Sequence, residues 1–299
     1  MPSETAFSLL RGVIDLHLHS APDIMPRKAN DVEFARRAAA AGMGGILLKS
    51  HYTSTADRAV LVSSLVPDIR VYGGITLNHA VGGLNPIAVD IAGRSGARIV
   101  WFPTVDAENE MRYQDSHPEG KKPYWYAVQA ELKANGMSRP PFTVLGSDGK
   151  LLPTVYEVLE VIKAHDMILA TGHVGVAEVV ALVRAAKEVG IQRVLVTHPD
   201  FPSIRMPLEL QKEVARHGAL LERCYTTPYT GKVSWEEVFA SIRAVGVSST
   251  VLSSDLGQPN NPWPVDGLAD FFDRLLAAGF RENEIRTMAI DNPGYLVKT

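Results

Sequence analysis

Residues 167–200 read MILATGHVGVAEVVALVRAAKEVGIQRVLVTHPD, and this stretch decides the fold. Met167-Ile168-Leu169-Ala170 and Val194-Leu195-Val196 are almost wholly apolar, as strands covered on both faces must be. Between them, Val176 to Val189 alternates apolar and charged residues at helical spacing and stops at Gly190. Strand, helix, strand in that order is a parallel βα unit, because strands running the same way need a crossover between them. Both strands end in polar residues, Thr171-Gly172-His173 and Thr197-His198.

The beat continues in both directions. Apolar runs begin near Val13, Gly44, Arg70, Ala97, Met167, Arg193, Ala219 and Thr250, at intervals of about 31, 26, 27, 70, 26, 26 and 31 residues. One βα unit takes a little under about 30 residues, so six of these seven intervals hold a single unit. Val32 to Ala41, Val155 to Ala164 and Pro207 to His217 carry helical periodicity. Asn30-Asp31 and Thr154 stand where helices would be capped, and Gly218 where one would stop. Eight units in 299 residues predict a single (β/α)8 barrel over 1–299, not a doubly wound sheet. A dinucleotide fold is disfavoured, since Gly42-Met43-Gly44-Gly45 begins like G-x-G but has Leu47 where the third glycine should fall.

The long interval holds about 45 residues more than one unit needs, at 105–153, which predicts an insertion after strand four. Trp125 to Leu132 reads as a short helix and Phe142 to Leu152 as a hairpin around Asp148-Gly149. Loops after barrel strands lie on the catalytic face, so the insertion is expected to be a lid or substrate wall, with an oligomer contact or surface decoration as the alternative.

Composition narrows the function classes. Thirty Lys+Arg against 33 Asp+Glu, without a block of like charge, supply no footprint for nucleic acid. Cys224 is the only cysteine, which excludes an intrachain disulfide. The start has no signal-peptide pattern, and the longest apolar run, near Ala38 to Leu48, is too short to span a bilayer. The expectation is a cytoplasmic protein, without membrane attachment, that acts on a small molecule and is open to homo-oligomer formation. A chain of this size builds its core unaided, so any metal would serve chemistry.

The polar residues ending the strands are not random. Strand one ends Asp15-Leu16-His17-Leu18-His19, strand two Lys49-Ser50-His51, strand three Asn78-His79, strand five His173, strand six His198 and strand eight Ser253-Ser254-Asp255. Six of the nine histidines thus fall at the barrel mouth. His17 and His19, two apart on a strand, point the same way and can grip one cation. An H-x-H pair alone arises often by composition, but strands five, six and eight bring further ligands to the same rim. That His-plus-carboxylate set suits a divalent ion such as zinc.

H-x-H on strand one, His on strands five and six and Asp on strand eight resemble the amidohydrolase superfamily of metal-dependent hydrolases. The likeness runs through the C-terminal Asp291-Asn292-Pro293-Gly294-Tyr295-Leu296. It implies that His17, His19 and Asp255 hold the more buried metal. His173 and His198 then bind a second ion, or His173 completes a one-metal site while His198 steers water. Asp255 would be the base that accepts the water's proton. Relatives with two metals bridge them with a carbamylated Lys or a Glu on strand four, where this chain has Ile99-Val100-Trp101-Phe102-Pro103-Thr104. That departure favours one ion over two. Lys49, if carbamylated, and Glu222 are the remaining bridging candidates; the alternatives for Lys49 are an ammonium that binds a substrate anion and a side chain turned out to solvent.

Lys49, His51, His79, Arg205 and Arg223 are the substrate-binding candidates, with Lys232 a further cation near the rim. On strand seven Glu222 and Cys224 share one face and Arg223 and Tyr225 the other, and either face is open to the interior. Cys224 reads as a packing residue, and Asp15 as a group that fixes a histidine or a backbone amide below the metal. The implied activity is hydrolysis of an amide, cyclic amide or ester bond in a small polar substrate. The alternatives are a metal-dependent decarboxylase or lactonase on the same scaffold, or a binding protein without turnover.

Overall fold

Strands β1 (Ile14–His19), β2 (Gly45–Lys49), β3 (Arg70–Thr76), β4 (Ala97–Trp101), β5 (Ile168–Ala170), β6 (Val194–Val196), β7 (Leu220–Cys224) and β8 (Thr250–Ser253) run parallel, each beside the next in chain order. This computed structural model describes residues 2–119 and 122–298. Met1 and Thr299, the ends of the expected 1–299 barrel, and Gly120 and Lys121 within the expected insertion lie outside the described residues. The architecture is the expected (β/α)8 barrel, and every strand begins within one residue of its expected start. Among the described residues, no helix is long and apolar enough to cross a membrane.

Inward side chains from the strands, among them Leu16, Leu47, Ile99, Trp101, Ile168, Leu195 and Val251, fill the barrel below its mouth. Leu296 and Val297 join this cluster from the C-terminal helix Asn292–Val297. Asn292 fixes that helix by donating to the carbonyls of Val247 and Thr250. The cap assignments hold in part. Asn30 accepts from the amide of Glu33, and Gly190 ends its helix in the left-handed region. Thr154 is not a cap: Leu152 takes that place, because Pro153 at the first helical position has no amide to satisfy.

The β1/β8 seam closes the barrel through the residues that form its mouth. The amide of Asp255 donates to the carbonyl of His17 at 2.7 Å, and that of His19 to Leu256 at 2.8 Å. Between Asp15 and Leu18 the register of β1 against β2 shifts, so Leu16 lies in the interior cluster while His17 also faces inward. Asp15 Oδ1 accepts from the amides of Ser254, at 2.9 Å, and His17, at 3.2 Å, and thus ties the two strands together. After Asp255 the chain must pass close to β1. A Cβ on Gly257, at φ 127°, would lie 1.6 Å from the carbonyl oxygen of His19, so no other residue fits there.

The inserted segment differs in detail from expectation. Tyr124–Ala134 is helical, close to the expected span, but Glu108–Ser116 forms a helix that the sequence pattern did not suggest. The expected hairpin shrinks to one antiparallel bridge, Leu145 with Leu151. Its backbone donors are diverted: Phe142 pairs with Ala107 instead, and the amide of Val144 bonds the carboxylate of Glu178 at 2.8 Å.

Burial pushes the Asp15 carboxyl up to about 6 from an ordinary value of 3.8, against the hydrogen bonds that favour its charged form. A carboxyl raised on folding contributes stability that is full below its unfolded pKa and is lost as pH rises through the folded one. The loss therefore falls between pH 3.8 and about 6, and two units correspond to about 3 kcal/mol. Asp15→Asn keeps the acceptor oxygen without the charge. Its Tm relative to wild type should rise between pH 4 and pH 7, and a pH-independent difference would contradict the assignment.

Candidate active site

Four imidazoles and one carboxylate meet in the mouth. Asp255 Oδ1 lies 3.4 Å from His17 Nε2 and 3.3 Å from His19 Nε2, and Oδ2 lies 3.8 Å from His198 Nε2. The His17 ring centroid is 5.4 Å from that of His19 and 4.9 Å from that of His198, and His173 follows 5.5 Å beyond His198. All four histidines are buried. His198 and Asp255 have φ of 51° and 50°, a left-handed backbone that costs non-glycine residues about 1–3 kcal/mol each. Both strained residues end strands at the mouth, so the strain serves to aim side chains. Before His173, Gly172 at φ 64° passes so near β4 that a Cβ would sit 2.2 Å from the Phe102 carbonyl.

Strand β7 presents Glu222 and Cys224 to the interior. Glu222 Oε2 accepts from His17 Nδ1 at 3.1 Å, and Cys224 Sγ lies 3.8 Å from the same nitrogen. With its Nδ1 proton held by Glu222, His17 turns the lone pair of Nε2 toward Asp255. Lys49, fully buried, donates to that Nε2 at 2.9 Å and lies 5.2 Å from the centre of the Trp101 ring. Burial lowers the Lys49 pKa, while Asp255 and Glu222 pull the other way. Burial also lowers the pKa of His19, His51, His173 and His198, disfavouring their charged forms. Asp255 is held ionised: burial opposes its charge, but the surrounding imidazoles keep its carboxyl well below the usual range. Burial pushes the Cys224 thiol well up, as suits a packing residue and not a nucleophile.

The donor set suits a divalent cation. Two groups of ligand atoms each lie within 4.8 Å of one another: His17, His19 and Asp255, and His17, His198, Glu222 and Cys224. Buried His173 Nε2, His198 Nδ1 and Glu222 Oε1 have no hydrogen-bond partner among the described residues. Such orphaned atoms are costly unless something binds them. The Lys49 ammonium already directs positive charge at the nitrogen that would face an ion.

The substrate-binding candidates separate into two sets. Lys49 and His51 belong to the cluster, with His51 stacked on His19 at 5.0 Å and bonded through Nδ1 to Thr104 at 2.8 Å. The other three lie away from the cluster. His79 faces the inserted segment, stacked on Phe142 at 4.2 Å with Nε2 at the Pro140 carbonyl, because Asp106 holds its amide. Arg205 is exposed and lies 3.6 Å from Glu237. Arg223 points out of the barrel, as alternation along β7 requires once Glu222 points in, and its guanidinium bonds Asp200 and Gln211. Lys232, exposed at the rim, holds its ammonium 4.2 Å from the centre of the Phe201 ring, which itself packs on His173 and His198.

Several residues of the site were not singled out from sequence. Thr226 donates to Asp255 Oδ2 at 2.8 Å. Arg27, held twice by Asp23, places Nη2 3.3 Å from His19 Nδ1. Their Asp-x-x-x-Arg spacing just after H-x-H was the available signal. Glu110, in the inserted segment, faces His173.

The profile of a family of unknown function, DUF6282, matches residues 12–222. The chain belongs to the DUF6282 family. In this DUF6282 protein the matched span contains His17, His19, Lys49, His173, His198 and Glu222, while Asp255 lies beyond it. No curated protein matches the chain significantly in sequence. Among solved structures, an amidohydrolase from Pseudomonas aeruginosa is similar, with TM-score 0.63 and 13% identity over 99% of this chain and 98% of that one. A putative 2-pyrone-4,6-dicarboxylic acid hydrolase from Pseudomonas putida gives TM-score 0.59 and 16% identity, covering 96% of this chain and 97% of its own. The organophosphorus hydrolase of Deinococcus radiodurans gives 0.58 and 14%, covering 97% and 93%. At these identities the likeness establishes a shared fold.

The outward placement of Arg223 is directly testable. Arg223→Leu leaves the Asp200 carboxylate unpaired and should lower stability by about 3 kcal/mol in denaturant titration, with metal content unchanged. Unaltered stability would return Arg223 to the list of substrate ligands.

Proposed function

We propose that this DUF6282 protein is a metal-dependent hydrolase of the amidohydrolase superfamily, cleaving an amide, cyclic amide or ester bond of a small, polar, anionic molecule. The observation that carries the proposal is the convergence of His17, His19 and His198 on the single carboxylate of Asp255, within 3.3–3.8 Å, at the mouth of a barrel. The fold shared with an amidohydrolase, a putative 2-pyrone-4,6-dicarboxylic acid hydrolase and an organophosphorus hydrolase supports it. His17, His19 and Asp255 would hold a divalent ion, zinc in this proposal, with His173 completing the set and His198 orienting water. When bound, such an ion acidifies water and polarises a carbonyl.

The chain's own groups divide the remaining work. Glu222 fixes the His17 tautomer. Asp255, kept ionised, accepts the proton of the attacking water and returns it to the leaving group; the Thr226 hydroxyl on Oδ2 leaves Oδ1 facing His17 and His19. A single ion is favoured, because β4 contributes Trp101 and Glu222 is engaged on His17 Nδ1, away from Asp255. Lys49 then remains an ammonium, and with Arg27 and Lys232 it favours an anionic substrate. The inserted segment 105–153 serves as the substrate wall. That role is supported by the packing of its Met111, Trp125 and Tyr126 with Met25 and Tyr52, from the loops after β1 and β2.

Asp255→Asn should retain the ion and the fold but lose about 10²–10⁴-fold in kcat; full activity in this variant would remove Asp255 as proton acceptor. In a substrate survey, release of amine, ammonia or a ring-opened acid supports hydrolysis, and release of CO₂ contradicts it. Metal analysis should give one equivalent per chain in both wild type and Lys49→Met. Two equivalents in wild type, with one lost in Lys49→Met, would overturn the single-ion assignment.

A further inference from the structure

The helix Glu108–Ser116 does more than cover the mouth. Its Asn109 side-chain amide donates to two carbonyls, that of His173 at 3.2 Å and that of Ser203 at 2.8 Å. Residue 173 ends the β5 turn and residue 203 lies in the loop after β6, five residues past His198. One side chain therefore ties together the two loops that deliver His173 and His198. Next to it, Glu110 is 1% exposed and is satisfied from two sides, by Gln114 on Oε1 at 3.0 Å and the Ser203 hydroxyl on Oε2 at 2.5 Å. Glu110 Oε2 also lies 3.4 Å from His173 Nδ1, in ion-pair range, and that buried nitrogen has no hydrogen-bond partner among the described residues.

From this arrangement we infer that Glu110 and Asn109 of the inserted segment are positioning residues for His173, fixing it as the Nδ1–H tautomer with Nε2 free to bind an ion. Burial alone would leave the ring free to choose either tautomer, and an acceptor such as a carboxylate beside Nδ1 selects the form whose other nitrogen can ligate. At 3.4 Å the carboxylate stands beside Nδ1 without completing a hydrogen bond, and on this inference that bond forms when the ring binds an ion. Asn109 supplies the complementary constraint by holding the backbone that carries the ring. Neither residue would touch substrate. The insertion thus acts as a buttress for the ligand set as well as a wall, an assignment that rests on the metal-dependent function proposed above for its chemical purpose but not for its geometry.

Two readouts on the full chain test it. In the metal-free protein, ¹⁵N NMR of the histidine rings, with His173 assigned by the signal lost in His173→Asn, should show the Nδ1–H tautomer in wild type. Glu110→Ala should shift it toward Nε2–H, and Glu110→Gln, whose amide oxygen still accepts, should retain it. With Co²⁺ as the probe, Glu110→Ala should lose about 10–100-fold in affinity and alter the visible absorption of the bound ion, Asn109→Ala should lose less, and Glu110→Gln should recover most of the affinity. Wild-type tautomer and Co²⁺ affinity in Glu110→Ala would overturn the inference. If Glu110→Ala does not fold, loss of the Nδ1–H tautomer in Asn109→Ala supports the inference, and its full retention together with wild-type Co²⁺ affinity overturns it. Failure of the wild-type chain to bind Co²⁺ would contradict the metal-dependent function, while the tautomer measurement would still decide the role of Glu110.

Discussion

The hydrogen bond from the amide of Asp255 to the carbonyl of His17, 2.7 Å long, joins the last strand of the barrel to the first. Every other feature of the site depends on this closure. Parallel strands bring consecutive units side by side, but only a closed barrel makes the end of β8 a neighbour of β1. The register shift between Asp15 and Leu18 then turns His17 inward without displacing Leu16 from the interior. Asp15 replaces a ladder contact at the seam with its own carboxylate. The seam is therefore both the last closure of the fold and the framework on which the carboxylate meets the histidines.

A core designed only for stability would not look like this mouth. Lys49, Glu222 and four imidazoles are buried together, two strand ends carry left-handed backbones on residues other than glycine, and several polar atoms have no partner among the described residues. Replacing buried polar clusters with apolar side chains is often neutral or stabilising, so their presence together points to chemistry. The chain offsets these costs around the site. Below it lies a cluster of apolar side chains with Trp101, whose ring faces both His17 and Lys49. Second partners hold the reactive groups in place, Glu222 for His17, Thr226 for Asp255 and Thr104 for His51.

The strands were legible because burial on both faces forces continuous apolar runs such as Ile168-Leu169-Ala170, which few other structures require. The histidines at strand ends were legible for the same reason, since a polar residue at the end of such a run has one natural place to go. What lay outside local pattern was not legible. The orientation of β7 depends on which neighbour meets its side chains, and both of its faces carry polar residues. Arg223 reads as a mouth cation until Asp200 and Gln211 are seen to hold it outside. Glu108–Ser116 is mostly polar, with little apolar face, and is shaped by contacts with residues 173 and 203 that are distant in sequence. Phe142 to Leu152 has the alternation and turn of a hairpin, but Glu178 claims a backbone donor that a partner strand would have used.

The central claim is that this mouth is a cation site built by closure of the barrel. A crystal structure of the zinc-loaded chain, with an anomalous difference map recorded at the zinc edge, tests it most directly. The account predicts one strong peak within bonding distance of His17 Nε2, His19 and Asp255, with the Lys49 ammonium moved off His17. A map without a peak in the mouth, and with Lys49 still bonded to His17 in excess zinc, would contradict it.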